Sequence, residues 1–72
     1  MSDRTEAYLI HDSGKARLFV IKDTGEKVWV PHSVTDEIVT RPALQEADMP
    51  GIPATIKVKS WFRQKEAEAF GE

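Results

Sequence analysis

Short apolar stretches alternate with polar turns along the first half of the chain, and this pattern predicts a β-meander. Three stretches, at 7–11, 16–22 and 27–31, are rich in the β-branched and aromatic residues that favour strands. The turns between them, 12–15 and 23–26, share the pattern Asp-Ser/Thr-Gly-charged. Asp can bond to the backbone that follows it and Gly accepts a positive φ, so each turn suits a short hairpin with a bulge.

The second half predicts two more strands, separated by a long loop. Pro31 ends the third strand or places it at a sheet edge, because proline has no N–H to donate. Residues 33–36 are typical of one capped helical turn, and 37–40 of a short fourth strand. The loop at 41–53 contains three prolines and one glycine, which exclude a long regular element. Residues 54–58 alternate in polarity and predict a fifth strand.

A helix is predicted after the fifth strand. Ser60 can cap a helix that runs from Trp61 to about Phe70, and Gly71 ends it. About five antiparallel strands and one C-terminal helix place the chain in the mainly β (β+α) class. We expect a small, partly open barrel, SH3-like or OB-like, because closure removes sheet edges that would invite aggregation. The pattern does not distinguish between these two barrels.

The length of 72 residues corresponds to one domain with a small core. We assign residues 7–70 to this domain and 1–6 to a flexible N-terminus. With 40% hydrophobic and 31% charged residues, the composition is that of a globular protein rather than a disordered or membrane-embedded one. The polar first residues do not resemble a secretory signal. A cytoplasmic protein without membrane association is therefore the simplest expectation.

The charges are unevenly distributed, although the net charge of −2 gives no electrostatic argument for duplex DNA. Residues 36–53 form an acidic middle. Residues 54–65 contain four cations and no acid, and we call these cations the basic stripe: Lys57, Lys59, Arg63 and Lys65. The stripe interleaves with Trp61 and Phe62, a composition suited to phosphates and stacked bases. Most charge runs are only solvated faces.

The meander strands are apolar on both faces. Alternation within each strand suggests one face with Leu18, Val20, Val28 and Val30, and a second with Phe19, Ile21 and Trp29. Our favoured interpretation is that the terminal helix lays Trp61, Phe62 or Phe70 across the second face. The alternative leaves Phe19 and Trp29 partly exposed, as a stacking surface or an interface hot spot.

The loop at 41–53 is long for so small a domain, and loops of that length are usually functional or disordered. Leu44, Met49 and Ile52 offer apolar anchors for a partner. Glu46 and Asp48 could meet a basic partner surface. The competing interpretation is that the apolar side chains of this loop plug one end of the barrel.

No enzyme signature is present. His11 and His32, with Asp12 and Asp36, lack the spacing of metal ligands. No nucleophile motif surrounds the serines, and the glycines form no phosphate-binding loop. There is no cysteine for a disulfide or a thiolate metal site. We therefore expect no catalytic residue, no metal and no cofactor.

Two strings in the chain resemble small uncharacterised proteins of bacteriophages and prophages. Residues 15–19 (K-A-R-L-F) and 25–33 (G-E-K-V-W-V-P-H-S) match their patterns K-A-x-L and G-x-x-x-W-V/I/L-P-x-S. Those proteins often end in an alternating strand and a W-L/F-x-x-K helix, as residues 56–65 do here. The resemblance spans roughly residues 15–67 but has no counterpart for the 41–53 loop. It implies a phage-type accessory role and assigns no catalytic residue.

Three functions agree with these features. The favoured one is a non-enzymatic accessory module that docks on a larger host or phage protein, with inhibition as one possible effect. The alternative is a single-stranded nucleic-acid binder in phage replication or recombination, which would use Phe19, Trp29 and the basic stripe. In the third, a second copy of the chain covers the extra apolar face and makes a homodimer.

Overall fold

The computed structural model describes residues 4–71, and its strands form one five-stranded antiparallel sheet. The strands are β1 (Arg4–Asp12), β2 (Ala16–Ile21), β3 (Lys27–Pro31), β4 (Thr35–Thr40) and β5 (Ile52–Val58). Two 3₁₀ turns (His32–Val34 and Pro42–Leu44) flank β4, and two short helices, α1 (Ser60–Lys65) and α2 (Ala67–Phe70), follow β5. The mainly β class with a C-terminal helical segment is confirmed.

The two predicted hairpins are present, and they join β1 to β2 and β2 to β3. Gly14 and Gly25 both have positive φ, at 89° and 72°, as the turn pattern required. In the first turn the Gly14 N–H donates to Asp12 Oδ1 at 2.8 Å. A bulge also occurs, but it lies in β1, where the register shifts between Leu9 and His11.

The order of strands in the sheet is β3-β2-β1-β5-β4, so β3 and β4 lie at opposite edges. Only the three residues His32–Val34 join these edges. Four Cα steps span at most about 14 Å, whereas the edges of a flat five-stranded sheet lie roughly 19 Å apart. The sheet must therefore curl until its edges approach. The Lys59 N–H anchors the connection by donating to the Val34 carbonyl at 2.9 Å.

One face of the curled sheet, which we call the inner face, carries the hydrophobic core. Its most deeply buried large side chains are Phe19, Ile21, Val30 and Ile56. Phe19 pairs with Val28, so the odd-numbered residues of β2 share the inner face with the even-numbered residues of β3. Leu18 pairs with Trp29 on the other face, which we call the outer face. Our assignment of faces is therefore wrong, because it depended on the register between strands, which alternation within each strand does not specify.

The C-terminal helical segment also covers the inner face. Phe62 and Phe70 are buried there, with ring centroids 6.4 Å apart at 80°. The Thr24 hydroxyl ties the end of the segment to the second hairpin by donating to the Ala69 carbonyl at 2.7 Å. The interpretation that the helix covers the face of Phe19 and Ile21 is confirmed, with Phe62 and Phe70 as the covering side chains. It is wrong for Trp29, which lies on the outer face, and for Trp61, which is exposed.

Several element boundaries differ from those predicted. The predicted single helix is interrupted at Glu66, and Ser60 is its first helical residue rather than a side-chain cap. β1 begins at Arg4, so residues 4–6 belong to the sheet and not to a flexible terminus. The remaining part of that predicted terminus, residues 1–3, lies outside the described residues.

Candidate functional site

A patch of apolar and aromatic side chains lies on the outer face of β1, β2 and β3. We call it the tryptophan patch: Tyr8, His11, Leu18, Val20 and Trp29. Trp29, Leu18 and His11 are neighbours across the three strands, and Val20 pairs with Tyr8 in the same sheet. The Trp29 side chain is 49% exposed. The buried residues of both helices belong to the core of the inner face, and here Trp29 and His11 are exposed while Tyr8, Leu18 and Val20 are half-buried.

The bulge in β1 is what brings His11 into the patch. Leu9 faces inward opposite Phe19, so regular alternation would turn Ile10 outward and His11 inward. The additional residue at the bulge instead places His11 opposite Leu18 on the outer face. There its ring meets Trp29 edge-on, with centroids 6.1 Å apart and planes at 85°. The sequence analysis weighs His11 only as a metal ligand, rejects it on spacing, and misses this role, because the bulge that turns its side chain outward leaves no local signal.

A groove continues the outer face beyond Tyr8, towards the 41–51 loop. Its cavity volume is about 310 Å³, and it is lined by Glu6, Ala7, Tyr8, Lys22, Arg41, Leu44, Met49 and Pro53. Leu44 is 59% exposed and Met49 is half-buried, and neither belongs to the core cluster. Leu44 is therefore part of a surface rather than a plug of the barrel end.

A hydrogen-bond chain supports the floor of this groove. Arg41 Nη1 donates to the Thr55 hydroxyl at 2.7 Å, and that hydroxyl donates to Glu6 Oε1 at 3.0 Å. Thr55 is buried, so its hydroxyl satisfies its hydrogen-bonding capacity through these two contacts. The chain holds Arg41 and Glu6 on either side of β5 and leaves other guanidinium N–H groups of Arg41 available at the groove.

The structure divides the basic stripe between surfaces. Lys57 lies on the outer face of β5, in register with Arg4 on one side and Glu37 on the other. Arg4 and Glu37 form a salt bridge at 2.7 Å. Lys59 Nζ lies 3.1 Å from Asp36 Oδ1. These contacts place carboxylates next to the first two cations of the stripe.

The rest of the stripe lies on α1, on the opposite side of the sheet. Arg63 Nη1 donates to the Thr5 hydroxyl at 2.9 Å, and its guanidinium carbon lies 5.6 Å from the centroid of the Phe70 ring. Arg63 is thus committed to packing α1 on the inner face. Trp61 is 56% exposed and Lys65 is exposed, but both belong to this helical side. The structure therefore does not bring the stripe and Trp29 onto one continuous surface.

The predicted anchors of the loop are exposed in part. Glu46 and Asp48 are exposed and make no ion pair with any residue between 4 and 71. The other acids of the acidic middle, Asp36 and Glu37, are both paired with cations. Within the acidic middle, the acids without an ion pair are therefore the two of the loop.

A small polar cluster closes the first hairpin. Asp12 accepts the Gly14 N–H, and its carboxylate also lies 3.2 Å from His32 Nε2 and 3.5 Å from Arg17 Nε. The hydrogen bond from Gly14 is the main reason why the pKa of Asp12 is lowered, and the contacts with His32 and Arg17 act in the same direction. The cluster fixes the turn at the patch end of β1 and β2.

One predicted binding residue has to be corrected. Phe19 is 0% exposed, so its predicted exposure is wrong, and it cannot stack against a ligand. The physical reason is its register opposite Leu9 and Val28, which puts its ring in the centre of the core. For Trp29, Leu44, Glu46, Asp48, Met49, Trp61 and the basic stripe, a binding role remains a prediction.

Within residues 4–71, no three His, Asp or Glu side chains come together in a way that could hold a metal ion. Neither helix in this part of the chain has the length and apolarity needed to cross a membrane. No family model, curated protein or solved structure matches the chain.

Proposed function

We propose that this chain is a non-enzymatic protein-binding module and that the tryptophan patch is its docking surface. The observation that carries the proposal is the position of Trp29, half-exposed on a sheet face that neither helix covers. Tryptophan is among the residues most enriched at interface hot spots. An apolar patch left open on a small domain commonly marks an interaction site.

The partner is a larger protein, and docking on it could inhibit it. The sequence resemblance to small phage proteins supports an accessory role of this kind in the cytoplasm of a host cell. The patch is supported from below by Phe19 and Val28, which fill the core directly beneath it. Such a rigid base keeps the ordering cost of binding low.

Single-stranded nucleic acid is the competing ligand. Its binding requires a positively charged groove that follows the backbone beside the stacking aromatics. Here the cations of the basic stripe lie apart from Trp29, and Lys59 has Asp36 beside it. This separation removes the basic stripe from the aromatic surface, and it therefore favours protein over the nucleic-acid site that the sequence predicted.

We also propose that the curled sheet is a partly open barrel of the SH3-like kind. This assignment is favoured over an OB-like barrel by the order of the elements: the meander β1–β3 is followed by the 3₁₀ turn His32–Val34, which leads to β4 at the opposite edge. The short connection between the edges provides the curvature that such a barrel needs.

Two tryptophans of similar exposure provide a matched test of the docking surface. The wild type, Trp29→Ala and Trp61→Ala are each immobilised, and the proteins that they capture from a cell lysate are quantified. Each captured protein is then purified, and its affinity for the three chains is measured. Hot-spot truncations cost about 2 kcal/mol or more, so Trp29→Ala should weaken affinity by about thirtyfold, whereas Trp61→Ala should have little effect. Equal losses for the two variants would contradict the proposal, as would salt-sensitive binding of a labelled single-stranded oligonucleotide that depends on Lys57 and Lys59.

A further inference from the structure

The groove beside the tryptophan patch combines aliphatic walls with charged rims. Leu44 and Met49 form one wall from the loop, and Tyr8 and Pro53 are neighbours in register on the adjacent strands. Met adapts its shape to different apolar side chains. The groove volume of about 310 Å³ lies at the lower end of the range for small-molecule sites. The space therefore suits one residue of a ligand rather than a long segment.

The charges at the groove favour an anionic group. Lys22 is exposed and forms no ion pair with any residue that the structure describes, and Arg41 has N–H donors beyond the one bound to Thr55. The one acid of the lining, Glu6, already accepts a hydrogen bond from Thr55. Two cations against one acid give the lining a net positive charge.

We propose that this groove binds the C-terminal residue of a partner peptide, with its apolar side chain against Leu44 and Met49 and its free carboxylate between Lys22 and Arg41. The small volume requires the apolar group and the carboxylate to belong to one residue, and a C-terminal Leu, Ile or Phe provides both. This assignment rests on the proposed protein-binding function and names the ligand chemistry of one part of the same outer face.

The test is a titration of the isotope-labelled full chain by NMR with short acetylated peptides. One peptide ends in Leu with a free carboxylate, a second is its C-terminal amide, and a third carries an internal Leu-Asp pair and an amidated end. The free carboxylate should shift the amide signals of Tyr8, Lys22 and Met49. Two surface charge contacts predict a Kd about tenfold lower for the acid than for the amide.

Variants locate the contact. Lys22→Gln should raise the Kd of the free-acid peptide about two- to fivefold, while Lys27→Gln, an exposed lysine on the same face outside the groove, should not change it. Equal affinity for the acid and the amide would overturn the assignment, as would equal affinity for the internal Leu-Asp peptide or no binding at millimolar peptide. Trp29→Ala should leave the peptide Kd unchanged. The peptide titration therefore tests the groove alone, and the effect of Trp29→Ala on partner affinity tests the tryptophan patch alone.

Discussion

The rings of His11 and Trp29 meet edge-on across the outer face of the sheet, with Leu18 between their strands. This contact holds one side of the Trp29 ring and leaves about half of the side chain open to solvent. An anchored but accessible aromatic side chain is well suited to binding, because little rotamer entropy remains to be lost when a partner arrives.

Truncation of Trp29 should be much less destabilising than truncation of a core aromatic residue. Phe19→Ala should cost about 3–5 kcal/mol because it empties a fully buried site. Trp29→Ala removes a half-exposed ring and should cost less than about 2 kcal/mol. Urea denaturation of both variants measures the difference. If the two losses in the free energy of unfolding are equal, Trp29 is a structural residue and the proposed docking surface is wrong.

Gly51 should tolerate no side chain. A Cβ atom there would lie 2.9 Å from the carbonyl carbon of Leu9 and closer still to its oxygen. Because the obstacle is backbone, neither side can move without breaking the pairing of β1 with β5. Gly51→Ala should therefore destabilise the chain by about 3 kcal/mol or more, the upper end for overpacking.

Gly14→Ala is the comparison for that measurement. A Cβ at Gly14 meets nothing within 4 Å, so only its positive φ opposes the substitution. That conformational penalty is about 1–2 kcal/mol. If Gly51→Ala lowers the free energy of unfolding less than Gly14→Ala does, the close approach of Gly51 to the Leu9 backbone is contradicted.

Asp12 should titrate below the ordinary carboxyl range, because its charged form accepts the Gly14 N–H and lies beside His32 and Arg17. A carboxyl whose pKa is lowered by folding stabilises the folded state above its unfolded pKa of about 3.9. That contribution is lost as the pH falls through the lower, folded pKa. The difference in stability between the wild type and Asp12→Asn should therefore be larger at neutral pH than below pH 4. Carbon-detected NMR titration of the Asp12 carboxyl checks the direction, and an ordinary or raised pKa would contradict it.

The two acids of the loop should influence association rather than folding. Glu46 and Asp48 are exposed and unpaired within the described chain, so the double change Glu46→Lys and Asp48→Lys should leave Tm nearly unchanged. With a partner whose surface is basic, the same change should lower the association rate and reverse its dependence on salt. Stopped-flow measurements at two salt concentrations test this. An unchanged rate would place the loop outside the interface.

The hairpins could be predicted from the sequence because their signals are local. Asp12 and Gly14 specify the first turn within four residues, and the same pattern recurs at 23–26. The faces could not be predicted, because they depend on the pairing between strands and on the bulge in β1. No particular residue type in the sequence marks that bulge. For the candidate site, the exposure of Trp29 was the alternative rather than the favoured interpretation, because alternation within one strand does not show which face the helix covers. The groove was missed because Lys22, Arg41 and Met49 come together only through the tertiary fold.

The position of β5 has a consequence for biosynthesis. β5 is the fifth strand along the chain but lies inside the sheet, between β1 and β4. Ribosomes make the chain from its N-terminus, so β1 through β4 are synthesised before the strand that joins them. Until then, the edge of β1 that later pairs with β5 has no strand beside it, and such edges recruit other chains. Slower translation of the segment between β4 and β5, at unchanged temperature, should therefore raise the aggregated fraction.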